Sequence, residues 1–294
     1  MKIIRRANKI CIMLIYRIIR LFSIITATKY IHTATLGKKL NLKEPMDFNE
    51  KIQWLNFNCN NPLMTLCADK YKVREYIKEC GYDNMLNELY GVYDKASEID
   101  WGKLPDKFAI KCNHGSGFNI ICQDKSKFNK NQAIRKLNKW MKMDYSKHLN
   151  ERHYKNIPRK IICEKYIDGI DGKLPLDYKI YCFNGYPKII LVIKRTEPGG
   201  KYGLFDLEWK ILPYLKSSED ISNKLREDKP LCLNQMLKCA EKLSKPFPYV
   251  RVDFYIIENK LIFGEMTFTP SGCLDRYNQN GYDALGNMLN ISII

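Results

Sequence analysis

Two acidic residues near the C-terminal end of the chain have the spacing of a paired carboxylate site. Apolar and polar residues alternate on both sides of Glu258-Asn259-Lys260, which predicts a β-hairpin with a three-residue loop. In that register Asp253 lies directly opposite Glu265 on one face. The same register places Arg251 opposite Thr267. Two facing carboxylates repel unless a cation lies between them, and their hard oxygen ligands suit Mg²⁺. A sheet face held together by ion pairs to Arg251 is the alternative.

A second group of candidate residues lies at a predicted hairpin in the middle of the chain. Two short strands, KFAIKC and FNIICQ, flank the loop Asn113-His114-Gly115-Ser116-Gly117. Strand alternation places Lys111 on the face opposite the apolar side chains. The two glycines let backbone amides approach phosphate oxygens closely. The loop is not a Walker A motif, because no Gly-Lys-Ser/Thr follows it, and an ordinary turn is the alternative.

Asp177 and Lys179 form a third candidate pair. They are two residues apart in a predicted strand and therefore share one face of it. A surface ion pair would have the same spacing.

The rest of the sequence predicts the elements that position these residues. Apolar residues recur at helical spacing in some segments, and short apolar runs bounded by turn residues occur in others. Helices are expected over 68–80, 129–143 and 231–243, and strands over 161–167, 177–183 and 188–194. This mixture, without an internal repeat or a low-complexity segment, predicts an α+β fold.

The order of these pieces along the chain resembles the ATP-grasp superfamily. The resemblance is specifically to its TupA-like branch, which is associated with teichuronopeptide and cell-surface polysaccharide biosynthesis. It covers about residues 40–275, and its matching segments are FNEKIQWL (48–55), ADKYKVREYI (68–77), LPDKFAIKCNHGSG (104–117), ERHYKNIPRKIICEKYI (151–167), DYKIYCFNG (177–185) and PFPYVRVDFY with FGEMTFTPSG (246–272). It implies an ATP-grasp fold, in which two α+β subdomains clasp ATP.

The residue patterns and the resemblance together predict a domain organisation in four parts. The region before Lys111 has no recognisable Rossmann-like pattern, so a reduced N-terminal domain is expected. The four parts are a basic amphipathic membrane-surface helix (1–30), a mainly helical N-terminal region (31–106), a small ATP-grasp subdomain with the Gly-rich loop and adenine hinge (107–168), and a large subdomain with the metal-binding hairpin (169–294).

One group of residues is expected, from the resemblance, to bind ATP. Lys111 would contact the α- and β-phosphates, and Lys179 would approach the nucleotide or an acyl-phosphate. The flexible loop that covers the phosphates would consist of His114, Gly115, Ser116 and Gly117, with His114 as a hydrogen-bonding residue. The adenine hinge would consist of Glu164, Lys165, Tyr166 and Ile167.

A second group is expected, also from the resemblance, to hold Mg²⁺ and to support catalysis. Asp253 and Glu265 would be the metal ligands. Thr267 stands where many ATP-grasp enzymes have Asn, and its hydroxyl is a weaker ligand. The expected catalytic residues are Lys111, Lys179 and Arg251.

The activity implied by the resemblance is an ATP- and Mg²⁺-dependent carboxylate–amine ligase. Such an enzyme phosphorylates a carboxylate, and an amine then attacks the acyl-phosphate to form an amide, so positioning and charge neutralisation supply most of the catalysis. The implied partners are an acidic, lipid-linked glycan and an amino acid or amine, joined as an amino acid to a uronic acid. A glycosyltransferase of the same pathway is the alternative, although the sequence lacks an Asp-x-Asp motif.

The composition limits the other classes of function. The chain carries 49 Lys and Arg against 32 Asp and Glu, a net charge of +17, which predicts an anionic partner. A nucleic-acid-binding protein would account for this charge but not for the paired carboxylates, so no nucleic-acid partner is expected. A hydrophobic content of 45% excludes a disordered or collagenous chain. Eleven scattered cysteines without a C-x-x-C pair favour a reducing cytosol.

Residues 1–28 predict an amphipathic helix at a membrane surface. Arg17 and Arg20 interrupt the apolar stretch, so neither a signal peptide nor a membrane span is expected. At 100° per residue, six cations occupy one arc of about 120°, namely Lys2, Arg5, Arg6, Lys9, Arg17 and Arg20. This pattern predicts a cytoplasmic protein bound peripherally to the inner face of a bacterial plasma membrane. A helix packed on the protein's own core is the alternative.

Overall fold

The computed structural model describes residues 2–169, 174–195, 200–215, 225 and 227–292, and for residues 2–9 it describes the backbone alone. In this part of the chain the helices are α1 (Lys2–Phe22), α2 (Ile24–Leu36), α3 (Phe48–Asn58), α4 (Pro62–Ala68), α5 (Val73–Glu79), α6 (Lys130–Met141), α7 (Leu233–Ser244) and α8 (Gln279–Met288). The strands are β1 (Leu89–Tyr93), β2 (Phe108–Cys112), β3 (Asn119–Cys122), β4 (Ile161–Lys165), β5 (Asp177–Phe183), β6 (Tyr186–Arg195), β7 (Gly200–Phe205), β8 (Tyr249–Ile257) and β9 (Lys260–Thr267).

Side-chain caps set the start of several helices. Asp47 accepts a hydrogen bond from the Glu50 amide while Glu50 reaches back to the Asp47 amide, a capping box that begins α3. Gly37 ends α2 in the left-handed conformation, with φ of 78°. Other side chains that accept a hydrogen bond from the first turn of a helix are Ser23, Asn61, Asn129 and Asn278.

The strands form two antiparallel sheets, which confirms the predicted α+β class. A small sheet has the order β1-β4-β2-β3, and a large sheet has the order β7-β6-β5-β8-β9. The small sheet includes β1, which lies before residue 107 in the chain and pairs with β4. The domain boundaries stay a prediction.

Helices cover both faces of the large sheet. On one face Val252, Phe254 and Met266 pack with residues of α4, α5 and α7. On the other face Phe48 of α3 contacts the rings of Tyr181 and Tyr249, and α8 completes this layer. The small sheet packs Phe108, Ile110 and Cys112 against α6, as strand alternation predicts. Both sheets are therefore rigid supports for the polar side chains at their edges.

The predicted helix over 68–80 is wrong in its first turn, because α4 ends at Ala68 and α5 begins at Val73. Asp69 causes this break. Its Oδ1 accepts hydrogen bonds from the amides of Tyr71 and Lys72, at 2.8 and 3.2 Å, and thus competes with the helical pattern. Strands β1 and β7 were not expected from the sequence.

The β8–β9 hairpin pairs as predicted at its polar end but not at its turn. Glu258 and Asn259 form a two-residue turn with φ of 49° and 61°, so the expected three-residue loop is wrong. A register shift between Asp253 and Phe254, with Gly264 as the extra residue on β9, moves the pairing back by one. Asp253 consequently lies opposite Glu265.

Helix α1 packs on the body of the protein along one side only. Tyr16 is buried together with Ala27 and Ile31 of α2, against Leu149 and Leu274. The opposite side of α1 exposes an apolar stripe of Ile10, Leu14, Ile15, Ile18, Leu21 and Phe22. The predicted cations Lys2, Arg5, Arg6 and Lys9 have side chains outside the described residues. No helix in the described part of the chain is long and apolar enough to cross a membrane.

Candidate active site

A cavity of about 370 Å³ lies between the two sheets and is lined mostly by polar side chains. Both sheets and the segment around α5 contribute to it. The structure brings eight of the predicted site residues together in its wall: Lys111, Ser116, Gly117, Glu164, Ile167, Lys179, Asp253 and Glu265. Their functional roles stay predictions.

Three neighbouring strands of the large sheet align one charged residue each. Lys179 on β5 pairs with Asp253 on β8, and Asp253 pairs with Glu265 on β9. The Lys179 ammonium donates a hydrogen bond to Asp253 Oδ2. The row therefore presents one cation and two carboxylates to the cavity from a rigid sheet.

Arg251 holds Asp253 from within the same strand. Its Nε and Nη2 each donate a hydrogen bond to one oxygen of the Asp253 carboxylate, both at 2.7 Å. Arg251 Nη2 also lies 3.1 Å from Thr267 Oγ1. This two-point pairing is strong and fixes the plane of the carboxylate. The ion-paired sheet face that the sequence left as an alternative is thus present, and Arg251 itself lies behind the cavity wall.

Glu265 is surrounded by cations from three directions. Lys70 Nζ lies 3.2 Å from Oε2 of Glu265, and Arg251 Nη2 lies 3.7 Å from Oε1. Burial alone would raise the pKa of the Glu265 carboxyl, but Lys70, Lys179 and Arg251 together lower it to about 2. Glu265 is consequently ionised at neutral pH, with its side chain about one third exposed.

Lys111 and Glu164 meet on the small sheet. Glu164 on β4 pairs with Ala109 on β2, which leaves it diagonal to Lys111 on the same face. Lys111 Nζ lies 2.7 Å from Glu164 Oε2, and Arg74 Nη1 lies 3.8 Å from Glu164 Oε1. The expected phosphate-binding lysine and the expected hinge glutamate therefore face each other across one wall of the cavity.

The Gly-rich loop is anchored at its first residue. The buried Asn113 donates from Nδ2 to Asp69 and to the Pro158 carbonyl, and its own carbonyl accepts from the Lys70 amide. Gly117 adopts a φ of 75°, a conformation that favours glycine. The anchor links the loop to Lys70, so both contribute to one wall.

Several predicted ATP-binding residues lie outside the cavity wall. His114 is buried, with Nε2 3.1 Å from the Trp140 carbonyl, and burial lowers its pKa. Gly115 packs against Tyr145. In the predicted hinge, Lys165 lies 3.5 Å from Glu88, and the Tyr166 hydroxyl accepts a hydrogen bond from Gln123 at 2.7 Å. The predicted hinge role requires the backbone groups of Lys165 and Tyr166 and does not depend on these side-chain contacts.

Sequence reasoning missed three cations of the cavity wall: Lys70, Arg74 and Arg195. Lys70 and Arg74 lie in the segment ADKYKVREYI, where a conspicuous basic pair four residues apart was the available signal. Arg195 ends β6, and its Nη2 lies 2.6 Å from Asp177 Oδ2. The candidate pair Asp177 and Lys179 is therefore not a mutual ion pair, since each residue has a different partner.

The donor set suits a Mg²⁺ ion bound partly by the protein. Asp253 and Glu265 supply hard oxygens on adjacent strands, and the Thr267 hydroxyl lies 3.4 Å from Glu265 Oε1. Among the described residues no cluster of three or more His, Cys, Asp or Glu could form a protein-only metal cage. Mg²⁺ is commonly held by one or two carboxylates together with substrate phosphates, which matches this arrangement.

Buried ionisable residues lie behind the cavity. The Thr269 hydroxyl donates to Glu151 Oε2 at 2.5 Å, and burial raises the pKa of Glu151 to about 7. Burial lowers the pKa of the neighbouring His153 to about 3, so it stays neutral. Burial also raises the thiol pKa of Cys112 and Cys163 to about 12, which makes nucleophilic roles for them unfavourable.

Two sheets with a charged cavity between them are the arrangement expected of an ATP-grasp protein. The family model for TupA-like ATP-grasp proteins matches residues 50–290. The chain belongs to the TupA-like ATP-grasp family, and the fold predicted from the sequence is confirmed.

Comparison with solved structures found low similarity to several ligases and synthases. D-alanine–D-alanine ligase from Bacillus anthracis, crystallised with ATP, is 16% identical, with 76% of this chain and 63% of that chain covered and a TM-score of 0.44. D-alanine–D-alanine ligase from Helicobacter pylori is 15% identical, with 83% of this chain and 67% of that chain covered and a TM-score of 0.43. N5-carboxyaminoimidazole synthase from Aspergillus clavatus is 11% identical, with 69% of this chain and 44% of that chain covered and a TM-score of 0.40. This chain thus spans less than two thirds of the first of these structures. A search of curated proteins found no match.

Proposed function

We propose that this protein is an ATP- and Mg²⁺-dependent carboxylate–amine ligase. The observation that carries the proposal is the convergence of Lys70, Arg74, Lys111, Lys179 and Arg195 with the paired carboxylates Asp253 and Glu265 in one cavity. An excess of cations over carboxylates suits a triphosphate, and paired carboxylates suit its metal ion. Membership of the ATP-grasp family supports the same chemistry.

The reaction needs two displacements. A carboxylate oxygen of the first substrate attacks the γ-phosphorus of ATP, the bond to the β–γ bridging oxygen breaks, and ADP leaves. The amine nitrogen then attacks the acyl-phosphate carbon, inorganic phosphate leaves, and the nitrogen loses a proton. Lys111 and Lys70 hold the phosphates and Lys179 lies beside the reacting phosphoryl group. These fixed cations stabilise the negative charge that develops in both steps.

Asp253 and Glu265 hold Mg²⁺, with Thr267 as a weak additional oxygen. When bound, the ion neutralises phosphate charge and orients the γ-phosphoryl group. Arg251 positions the Asp253 carboxylate, and Lys179 supplies the counter-charge to that carboxylate before the nucleotide arrives. The hinge segment from Glu164 to Ile167 lies against the adenine, and Ser116 and Gly117, the residues of the Gly-rich loop that line the cavity, cover the phosphates.

The substrate is an acidic precursor of a cell-surface polysaccharide, and the product joins an amino acid to a uronic acid. The family's association with such polysaccharides supports this substrate class. The net charge of +17 suits an anionic glycan, and a lipid-linked precursor would be presented at the inner face of the plasma membrane.

The protein binds that membrane peripherally. The exposed stripe of Ile10, Leu14, Ile18, Leu21 and Phe22 on α1 has no partner among the described residues, and Arg17 lies exposed beside it. An amphipathic helix of this kind binds by burial of its apolar side in the headgroup region and by attraction of its cations to anionic lipids.

A substrate screen tests the ligase proposal. Purified protein is incubated with ATP, Mg²⁺, a panel of amino acids and uronic-acid acceptors, and the release of ADP and the product mass are measured. We expect ADP release that requires both an amine and a carboxylate, and a product lighter by one water than the sum of the two substrates. Sugar transfer from a nucleotide sugar without ADP formation would instead show a glycosyltransferase.

A further inference from the structure

A second large cleft lies away from the active site, between the α1–α2 turn and the segment 144–155. Its volume is about 740 Å³, and its walls differ in chemistry. One wall is apolar and contains Leu21, Phe22 and Phe57; the first two side chains are 81% and 86% exposed. The other wall is basic. The cleft thus combines features that a purely structural groove does not require.

Four cations line the cleft against one carboxylate. They are Arg20, Lys147, Arg152 and Lys155, and the carboxylate is Asp144, which lies 3.4 Å from Lys147. The N-terminus of the 13-residue α2 also faces the cleft. Ser23 accepts from the Thr26 amide, and the amides of Ile24 and Ile25 have no partner within the helix. The electrostatic preference of the cleft is therefore for an anion.

An unpartnered amide gives independent evidence for a ligand. Asn150 lines the cleft, is only 3% exposed, and its Nδ2 has no hydrogen-bond partner in the described part of the chain. Buried donors are normally paired, so this amide is expected to meet an acceptor that the protein itself does not supply.

We propose that this cleft binds the phosphate headgroup of a lipid. The donors Asn150, Arg20 and Lys155 bind the phosphate oxygens, and the hydrocarbon chain lies along Leu21 and Phe22. A lipid is favoured over a free phosphate because the apolar wall is continuous with the exposed stripe of α1. The proposal deepens the membrane association proposed above and does not depend on the ligase activity.

The location of the cleft fits this ligand. Asn150 and Arg152 face the cleft, while the intervening Glu151 accepts a hydrogen bond from Thr269, two residues beyond Thr267 in the chain. One short segment therefore lies between the lipid cleft and the end of the metal-binding hairpin. A headgroup in the cleft would keep an attached glycan close to the active site.

Binding of a short-chain lipid below its micelle concentration tests the proposal. The full chain is titrated calorimetrically, without ATP, with dihexanoyl phosphatidic acid, dihexanoyl phosphatidylcholine and inorganic phosphate. We expect saturable binding of the phosphatidic acid and binding at least about tenfold weaker for the other two. Equal affinity for inorganic phosphate would show a site for free anions and would overturn the proposal, as would the absence of phosphatidic acid binding.

Variants locate the site. Asn150→Asp keeps the shape and suits the φ of 58° at this position, but it replaces the amide donor by a carboxylate. Lys155→Glu changes an exposed residue that packing does not require. Each should weaken phosphatidic acid binding about tenfold or more. Lys142→Glu, an exposed lysine outside the cleft wall, is the control with equal charge change. If Lys155→Glu and Lys142→Glu bind alike, the lipid site is not in this cleft, even if Asn150→Asp fails to fold.

Discussion

Arg251 donates a hydrogen bond to each carboxylate oxygen of Asp253, while Lys179 on the adjacent strand donates a hydrogen bond to one of these oxygens. This pairing fixes the orientation of the buried carboxylate before any ligand arrives. Binding of Mg²⁺ would therefore have to share or displace one of these cations. Glu265 is about one third exposed and is held more loosely, with Lys70 at 3.2 Å and Arg251 at 3.7 Å. We expect Glu265 to be the first ligand that the metal meets.

Removal of either carboxylate that we propose as a metal ligand should abolish ligase turnover. We expect Asp253→Asn and Glu265→Gln each to lower the rate of ADP release at least about 100-fold at saturating Mg²⁺, because the phosphate charge is no longer neutralised. Thr267→Val is the matched control and should lower the rate less, since it removes a neutral oxygen. Circular dichroism checks the fold. Near-normal activity of either carboxylate variant would refute the metal assignment.

Loss of Lys111 should weaken ATP binding and slow the phosphoryl transfer. The expected cost of Lys111→Ala is about 2–4 kcal/mol in kcat/KM, because a fixed cation no longer stabilises the developing charge. Lys107→Ala is the control, since Lys107 directly precedes β2 and pairs with Asp168 at the surface. Calorimetric titration with ATP and single-turnover kinetics measure the two effects. Unchanged nucleotide affinity together with an unchanged rate would exclude a phosphate-binding role.

Glu151 should make the stability of the protein fall as the pH rises. Burial raises its pKa from 4.5 to about 7 in the folded protein. Between these values the folded state holds a proton that the unfolded state has released, so the free energy of unfolding decreases as the pH increases. Glu151→Gln removes this effect. Between pH 4 and pH 8 the variant should gain about 2–3 kcal/mol relative to the wild type.

Urea unfolding at the two pH values measures this difference. The control is Glu44→Gln, which removes one carboxylate at an exposed position. An equal pH-dependent difference for this variant would mean that the effect does not come from the burial of Glu151. A constant difference for Glu151→Gln would mean that the pKa of Glu151 is the same in the folded and unfolded states, and it would contradict the raised pKa.

The exposed stripe of α1 should be required for membrane binding. Ile18→Gln with Phe22→Gln removes apolar surface that is exposed in the folded protein, so the fold should persist. We expect binding to vesicles of phosphatidylglycerol and phosphatidylcholine to weaken about tenfold or more. Leu231→Gln is the control, because Leu231 is 89% exposed elsewhere on the protein. Co-sedimentation measures the bound fraction, and equal sedimentation of all variants would contradict the proposal.

The pairing of Asp253 with Glu265 was predicted correctly, although the predicted length of the hairpin turn was wrong. Alternation along β8 and β9 depends on the twofold period of a strand, so the shared face of Asp253 and Glu265 follows from local sequence. The length of the turn was wrong by one residue, and the bulge at Gly264 compensates for it. A bulge depends on the fit of a strand to its neighbour, and the sequence alone does not reveal it.

The sequence by itself determined the α+β class, the family, most strands, and the cross-strand pairing of the carboxylates, because these depend on short-range periodicity and motif order. Only the tertiary structure decided that Lys70 and Arg74 face Glu265 and Glu164, since Asp69 breaks the helix there and the contacts join distant parts of the chain. It likewise decided which side of α1 packs on the protein. An amphipathic helix offers an apolar face to any partner, and only the neighbouring surface selects how much of that face is buried.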